Sequence, residues 1–347
     1  MQFSRLADKQ VVNGSIIFSV LLCVAIVAMG GILTQFEIIP MPEDGFVYEW
    51  QLAEQTAMGQ LTAWLGFAIH QLLIWGTIYY AQKHYTKRDY TDKLRPVNVW
   101  AVGINVVFII LHYFQTMFFY DGIAQDIPSW TAQFAVALML IIILGMENQR
   151  RGLFFGKKVS FRKAFTDGLR KYHGYFFSFA VIYTFWFHPM VPTWGHLVGF
   201  VHVILVMTQG SLMFMRVHLN RNWMFMLEIL VLPHAFQVAL NQGGSIWRMF
   251  FFGFAAMFLI TQMHGLGLKP WMRRLFYGSF LLVMLYVYTV MAEPFQVNEV
   301  IRIPAIEYLV LFIMYGIFLL GAWIVSKTGL GSHKGTMIES EMSAVGD

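Results

Sequence analysis

Histidines are the residues of this sequence whose number and placement most readily indicate chemistry. The chain contains 11 of them among 347 residues, and neutral imidazole is the commonest protein ligand for zinc, copper and iron. Most of them fall within, or at the ends of, long apolar segments. Ionisable groups in such segments are costly to bury and are often functional when they occur. The sequence therefore predicts a functional site built mainly on histidine.

One group of histidines is predicted to lie towards the outer side of the membrane, on several different helices. Four of them are expected to hold iron, copper or the iron of a haem: His112, His188, His202 and His234. Two more are expected at the edge of that site, in contact with the cofactor: His70 and His196. Each histidine alone could equally be a hydrogen-bonded packing residue. Only their grouping at one depth favours a metal or haem site.

A second polar group is predicted at the inner ends of the helices. Its expected catalytic residues are Glu228, His218, His264 and Arg221. Glu228 is expected to face the bundle and to contact one of these basic residues or Arg216, because a carboxylate that faces lipid costs about 2.5 kcal/mol or more. Such a group suits proton transfer or the capture of an anionic head group. The alternative is a structural ion pair that fixes the packing of the helices.

The composition requires that membrane helices position these residues. The chain is 58% hydrophobic and 12% charged, with a mean hydropathy of +0.58, whereas soluble domains are about 45–50% apolar and about 25% charged. These values exclude a soluble globular enzyme and a disordered chain. The single cysteine, Cys23, excludes a disulfide scaffold and a site with several cysteine ligands. The sequence thus predicts an all-α integral membrane protein.

A membrane-spanning helix needs about 20 apolar residues, and the sequence contains ten such runs. They predict a ten-span transmembrane helix bundle, which forms a single domain over residues 1–326, followed by a disordered cytoplasmic tail over 327–347. The predicted spans are roughly 15–36, 57–82, 96–120, 128–147, 172–190, 194–215, 222–241, 246–264, 272–292 and 305–326.

The positions of the basic residues predict the orientation of the spans. If the N-terminus is cytoplasmic, 22 of the 24 Lys and Arg fall on the cytoplasmic side, and only Arg248 and Arg302 fall on the other. This is the asymmetry expected of cytoplasmic loops. We therefore expect both termini in the cytoplasm and the protein in a bacterial inner membrane. The net charge of +5 then reflects topology and gives no reason to expect a nucleic acid partner.

Two local features add to this picture. Pro233 is expected to kink the span over 222–241, and kinked helices commonly line a cavity. The basic stretch 150–171 contains interleaved Leu and Phe, which is compatible either with an amphipathic helix on anionic membrane lipid or with a solvated loop. The functional core is expected in the second and third spans and in the fifth to eighth.

The function that these observations favour is a membrane enzyme. The expected activity is a histidine-liganded metal or haem oxidoreductase that acts on a lipid, an isoprenoid or a quinone, with membrane lipid and this lipophilic small molecule as its partners. The alternative is a proton-coupled small-molecule transporter of a compact ten-helix type, in which Glu228 and the histidines relay protons. A third interpretation is a non-catalytic subunit of a larger complex.

Overall fold

The computed structural model describes residues 8–39, 50–86, 90–241, 246–291 and 294–328. These residues form α-helices joined by turns and short 3₁₀ segments, and no β-strand occurs among them. The helices are α1 Asp8–Leu33, α2 Ala57–His84, α3 Pro96–Phe119, α4 Trp130–Arg151, α5 Lys163–Phe187, α6 Trp194–Ser211, α7 Arg221–Ile229, α8 Val231–Asn241, α9 Ile246–Ile260, α10 Pro270–Leu285 and α11 Val297–Thr328. The predicted disordered tail lies outside the described residues from 329 onwards.

The protein is an all-α bundle in which seven helical segments of the described chain are long and apolar enough to cross a membrane. Four of these are α1 to α4; the others are the combined α7–α8 segment, α9 with the 3₁₀ turn that follows it, and α11. Helices α5, α6 and α10 occupy the three remaining predicted spans. The ten-span count and the orientation therefore remain predictions.

Residues at the helix ends explain where several helices begin. The side chains of Thr56, Thr193 and Asn220 accept hydrogen bonds from backbone amides in the first turns of α2, α6 and α7, which satisfies donors that have no partner within the helix. Pro96 and Pro270 open α3 and α10, where a missing amide hydrogen costs nothing.

The kink expected at Pro233 lies one turn earlier, between α7 and α8. Helix α7 ends at Ile229, and Leu230 separates it from Val231, where α8 begins. Proline has no amide hydrogen and therefore cannot donate to the carbonyl four residues before it, which is that of Ile229. The break exposes backbone groups beside Glu228, the last acidic residue of α7.

The bundle contains two larger apolar cores and three smaller apolar clusters among the described residues. The large core is formed by buried residues from Leu22 to Met207, on α1 to α6, around the fully buried Trp186. Gly66 of α2 packs directly on this indole: a Cβ there would lie 2.2 Å from its ring. The small core joins α4, the turn after it and the start of α5 to α9 and α11. Outside both cores, α1 and α11 expose large apolar side chains, as expected of a multi-pass membrane protein.

Candidate functional site

Glu228 forms an ion pair inside the bundle with an arginine that the sequence did not suggest. Nη1 of Arg151, the last residue of α4, donates to Oε2 of Glu228 on α7. The two side chains are only 2% and 11% exposed, respectively. In the sequence Arg151 lies in the basic stretch 150–171, and it was therefore assigned to a loop with the other basic residues. The structure places its guanidinium in the interior.

The ion-pair partner of Glu228 is not one of the basic residues predicted for it. Arg216 instead pairs with Asp92 at the surface, at 2.9 Å. The His218 ring nitrogen Nδ1 lies 2.8 Å from the carbonyl oxygen of Gln209, and His264 Nε2 lies 3.2 Å from that of Leu259. Glu228 does face inward, as expected, but it takes its positive partner from the end of α4.

A second carboxylate, Glu307 of α11, lies near this ion pair. It is buried, with 4% of its surface exposed, and it lines the same small cavity as Glu228. The sequence analysis missed it, although a signal was present: Glu307 is a lone charged residue in an otherwise apolar run. The predicted span begins at residue 305, so Glu307 was expected near the end of that span and not deep inside it. Helix α11 begins earlier, at Val297. Glu307 is therefore almost three turns inside its helix.

A small cavity lies between the two carboxylates. Its volume is about 20 Å³, and it is lined by Glu228, Glu307, Gln262 and apolar side chains of α4, α8 and α9. A cavity needs at least about 10–15 Å³ to hold a water molecule. The space between the carboxylates is therefore large enough for one water, which could bridge them.

The turn after α4 fixes the position of Arg151. Gly152 has φ 76°, and a Cβ there would lie 2.4 Å from the backbone carbon of Gly156, so that only glycine fits. The amide of Leu153 donates to the carbonyl of Lys157 at 2.8 Å, and the amide of Phe155 donates to the carbonyl of Ile260 at 2.8 Å. These bonds tie the turn to the end of α9. Arg151 is consequently held between α4, α7, α9 and α11.

A second buried ion pair in the bundle has a different charge balance. Nε of Arg248 on α9 donates to both carboxylate oxygens of Glu299 on α11, at 3.0 and 3.1 Å. The Tyr288 hydroxyl donates to Oε2 of the same carboxylate at 2.5 Å. The sequence placed both charged residues in outer loops. Here one guanidinium meets one carboxylate, whereas the Arg151–Glu228 pair has a second buried carboxylate, Glu307, on the cavity beside it.

No family model matches this chain, and no curated protein and no solved structure is significantly similar to it. Its function must therefore be inferred from the arrangement of its own residues.

The four histidines predicted to share a metal ion do not form a four-ligand centre in this structure. Ligand nitrogens must lie about 2.0–2.1 Å from one ion, as for zinc. His112 Nε2 instead lies 2.8 Å from the carbonyl oxygen of His188, and His202 Nε2 lies 3.0 Å from that of Leu227. Within the described ranges, no group of three or more His, Cys, Asp or Glu could hold a metal ion. The geometry therefore favours the packing interpretation for His112 and His202.

The outer histidines nevertheless lie in one neighbourhood and meet in pairs. The ring centroids of His188 and His196 are 5.4 Å apart, and those of His202 and His234 are 5.9 Å apart. Nε2 of His196 is buried without a hydrogen-bond partner among the described residues, while its Nδ1 lies 2.8 Å from the Thr193 hydroxyl. The histidines that the sequence grouped together thus lie as two neighbouring pairs and not around one shared centre.

His70 lies deeper and is held by neutral partners. Its Nδ1 accepts from the Trp186 indole at 3.3 Å, and its Nε2 lies 2.8 Å from Oδ1 of Asn105. Because an indole N–H can only donate, Nδ1 carries no proton and Nε2–H donates to the amide oxygen. The ring also stacks on Phe108, with a centroid distance of 4.6 Å. This predicted cofactor contact is a fully buried, neutral hydrogen-bonding residue.

Proposed function

We propose that the protein is a proton-coupled small-molecule transporter in which Glu228 and Glu307 exchange protons around Arg151. The observation that carries this proposal is the buried Arg151–Glu228 ion pair together with a second buried carboxylate, Glu307, that lines the same small cavity as Glu228. Ionisable groups that face the interior of a membrane bundle commonly mark proton relays in pumps and transporters. The proposal adopts the transporter alternative from the sequence and replaces its proton-relaying histidines by a second carboxylate.

Charge counting supports a proton-exchanging role for this group. With both carboxylates ionised and the guanidinium charged, the group has a net charge of −1. It is neutral only when one carboxyl carries a proton. Like charges that share a buried site are unfavourable, and one of them is generally neutralised. The group therefore has two low-energy forms, which differ in the carboxyl that bears the proton.

The location of the group supports its coupling to helix movement. Arg151 ends α4, Glu228 lies next to the break between α7 and α8, and Glu307 lies on α11. Transfer of the proton from one carboxyl to the other changes which helix the guanidinium attracts more strongly. Leu230 interrupts the helix between α7 and α8, and we infer that the proton position biases two arrangements of these helices.

The test compares conservative variants in proteoliposomes that contain a pH-sensitive dye. Amino acids, sugars and organic cations are added outside, and proton flux driven by each solute is recorded. We expect Glu228→Gln and Glu307→Gln to abolish flux. Glu299→Gln is the matched control, because it changes another buried glutamate that faces its own arginine, and it should retain flux per folded molecule.

Infrared spectroscopy tests the proton exchange independently of any solute. We expect the wild-type protein to show a protonated buried carboxyl whose signal changes in both Glu228→Gln and Glu307→Gln but not in Glu299→Gln. Solute-driven proton flux that persists in both variants of the candidate site would contradict the proposal. So would a spectrum in which neither glutamate contributes a protonated carboxyl.

The histidine-liganded metal or haem oxidoreductase remains the second candidate function. The buried Nε2 of His196, which has no hydrogen-bond partner in the described chain, favours it together with the nearby His188 ring. Two imidazoles at this separation could serve iron, copper or haem if further ligands came from outside the chain. Metal analysis and an absorption spectrum of the purified protein are the test, with His196→Ala as the variant that should lose the metal.

A further inference from the structure

A second cavity lies between α1, α3 and α6, and none of its lining residues lines the cavity at the carboxylate site. Its volume is about 260 Å³, larger than the roughly 150 Å³ apolar cavity that holds a benzene molecule. Most of its lining is apolar, including Phe18, Ile109 and Met207. A cavity of this size accommodates one ring or one chain but not a two-chain lipid.

The polar wall of this cavity carries no charged side chain. It is formed by Gln10 and Ser15 of α1, Asn105 of α3, and Thr208 and Ser211 of α6. Since no charged residue is among the described side chains that line the cavity, it offers no counter-ion to a phosphate, a carboxylate or an ammonium group. A buried ion without a partner is strongly unfavourable. The ligand that fits is therefore uncharged and largely apolar.

The hydrogen bonds already made in this wall define what the ligand must supply. The hydroxyls of Ser15 and Thr208 each donate to a backbone carbonyl of their own helix, both at 2.8 Å, so only their acceptor lone pairs remain. The Asn105 amide donates one hydrogen to the Ser211 hydroxyl at 3.0 Å, which leaves its second hydrogen. An alcohol hydroxyl can donate to a serine or threonine oxygen and accept from an amide, and it carries no charge.

We propose that this cavity binds a lipophilic alcohol with a single chain or ring, whose hydroxyl lies against Thr208, Ser15 and Asn105. The apolar part of the ligand fills the space beside Phe18 and Ile109. The amide of Asn105 also joins this hydroxyl to the deeper His70. The site is independent of the proton-exchange proposal, because it shares no residue with the group around Arg151.

Gly14 provides a means to fill the cavity without disturbing the helix. It lines the cavity, and a Cβ added there meets no atom within 4 Å. Gly31 lies on the same helix, also has open space around an added Cβ, and is not among the residues that line the cavity. Gly14→Phe and Gly31→Phe therefore form a matched pair with the same change in side chain and in helix propensity.

The experiment labels the full-length protein in membranes with a long-chain fatty alcohol that carries a photoreactive diazirine, and maps the labelled peptides. We expect labelling of α1, α3 or α6 that Gly14→Phe abolishes and Gly31→Phe retains. Thr208→Val keeps the shape but removes the acceptor, and it should weaken labelling about three- to tenfold. Unlabelled 1-dodecanol should compete about tenfold better than its methyl ether, which cannot donate.

Two results would overturn the proposal. Labelling that is equal in the Gly14→Phe and Gly31→Phe proteins would show that the alcohol binds elsewhere. Equal competition by 1-dodecanol and its methyl ether would show that the site takes apolar chains in general, such as the acyl chains of bilayer lipids, and does not select a hydroxyl.

Discussion

Asp121 is a buried carboxyl that lies in the loop after α3 and has no hydrogen-bond partner among the described residues. Both of its oxygens are buried, and Oδ2 lies so close to Gly59 that a Cβ there would be 2.0 Å away. Burial, and then the nearby Asp126 carboxylate, raises the pKa of Asp121 to about 7 from its ordinary value of 3.8. Between these values the folded protein holds a proton that the unfolded chain has released.

This raised pKa predicts that the protein loses stability as the pH rises through neutrality. Because the folded state binds more protons than the unfolded state in this range, the free energy of unfolding should fall by about 3 kcal/mol between about pH 5 and about pH 8. Asp121→Asn cannot titrate and should remove this decrease. Melting temperatures of both proteins in detergent over that range are the measurement. An equally steep decrease in the variant would contradict the assignment.

Arg151 should matter much more for stability than its neighbour in sequence. Arg151→Met leaves two buried carboxylates without their cation and should destabilise the protein by about 3–5 kcal/mol. Arg150 pairs with Glu147 on a more exposed surface, where its side chain is 33% exposed, and Arg150→Met should cost no more than about 1 kcal/mol. Thermal or denaturant unfolding in detergent would distinguish the two. Similar losses would argue against a buried charge group.

At this scale the sequence predicted the types of the important residues better than their partners. Glu228 was identified because a carboxylate in an apolar membrane segment is energetically costly and is therefore often functional. Its partner Arg151 could not be identified, because adjacent arginines at the end of a span look alike in the sequence. In the structure Arg151 continues the buried face of α4 that includes Leu144 and Asn148, whereas Arg150 lies nearer the surface.

In the turn after α4, only glycine fits at position 152. Gly152→Ala places a Cβ against the Gly156 backbone and requires a φ that alanine rarely adopts. We expect a loss of more than about 1–3 kcal/mol together with loss of proton flux, since the turn holds Arg151. Gly168→Ala in α5 has open space around the new Cβ and should instead stabilise by up to about 1 kcal/mol. Melting temperature and flux are measured on both.

Helix positions were predicted well where apolar runs coincide with helices and less well at polar ends. The predicted 57–82 and 96–120 correspond closely to α2 and α3. Helix α5 begins at Lys163, nine residues before its predicted span, because its first turns are polar and basic. Hydropathy marks the part of a helix that suits lipid. Helical hydrogen bonds continue beyond that part, so polar extensions such as the first turns of α5 and α11 cannot be seen in this way.

For the whole molecule, the predicted orientation follows from the asymmetry of its basic residues. A reporter fused after residue 160 should be cytoplasmic, and one fused near residue 44 should be exterior. Paired reporters that are active only on opposite sides of the membrane provide the measurement. The reverse result at either position would invert the sides assigned to the histidine pairs and to the carboxylate group.

The class of the molecule was predictable from composition alone, whereas its internal division was not. The high apolar content predicts a membrane helix bundle, whichever helices contact one another. The separation into a large and a small core depends on which helices meet, and α4 contributes to both. Apolar side chains pack with many possible neighbours. The sequence of α4 therefore does not reveal that its C-terminal half packs with α11 as well as with α5.

The division into two cores has a consequence for the order in which the protein is assembled. Every buried residue of the large core lies between Leu22 and Met207, so the ribosome has made all of them before it begins α7. Arg151 is synthesised with this first half, 77 residues ahead of Glu228, and Glu307 follows later still. N-terminal parts of a chain generally fold first. In the nascent protein Arg151 is therefore present before the glutamates that lie near it in the folded state. We expect it to contribute to the docking of α7 and α11 once these helices have been synthesised.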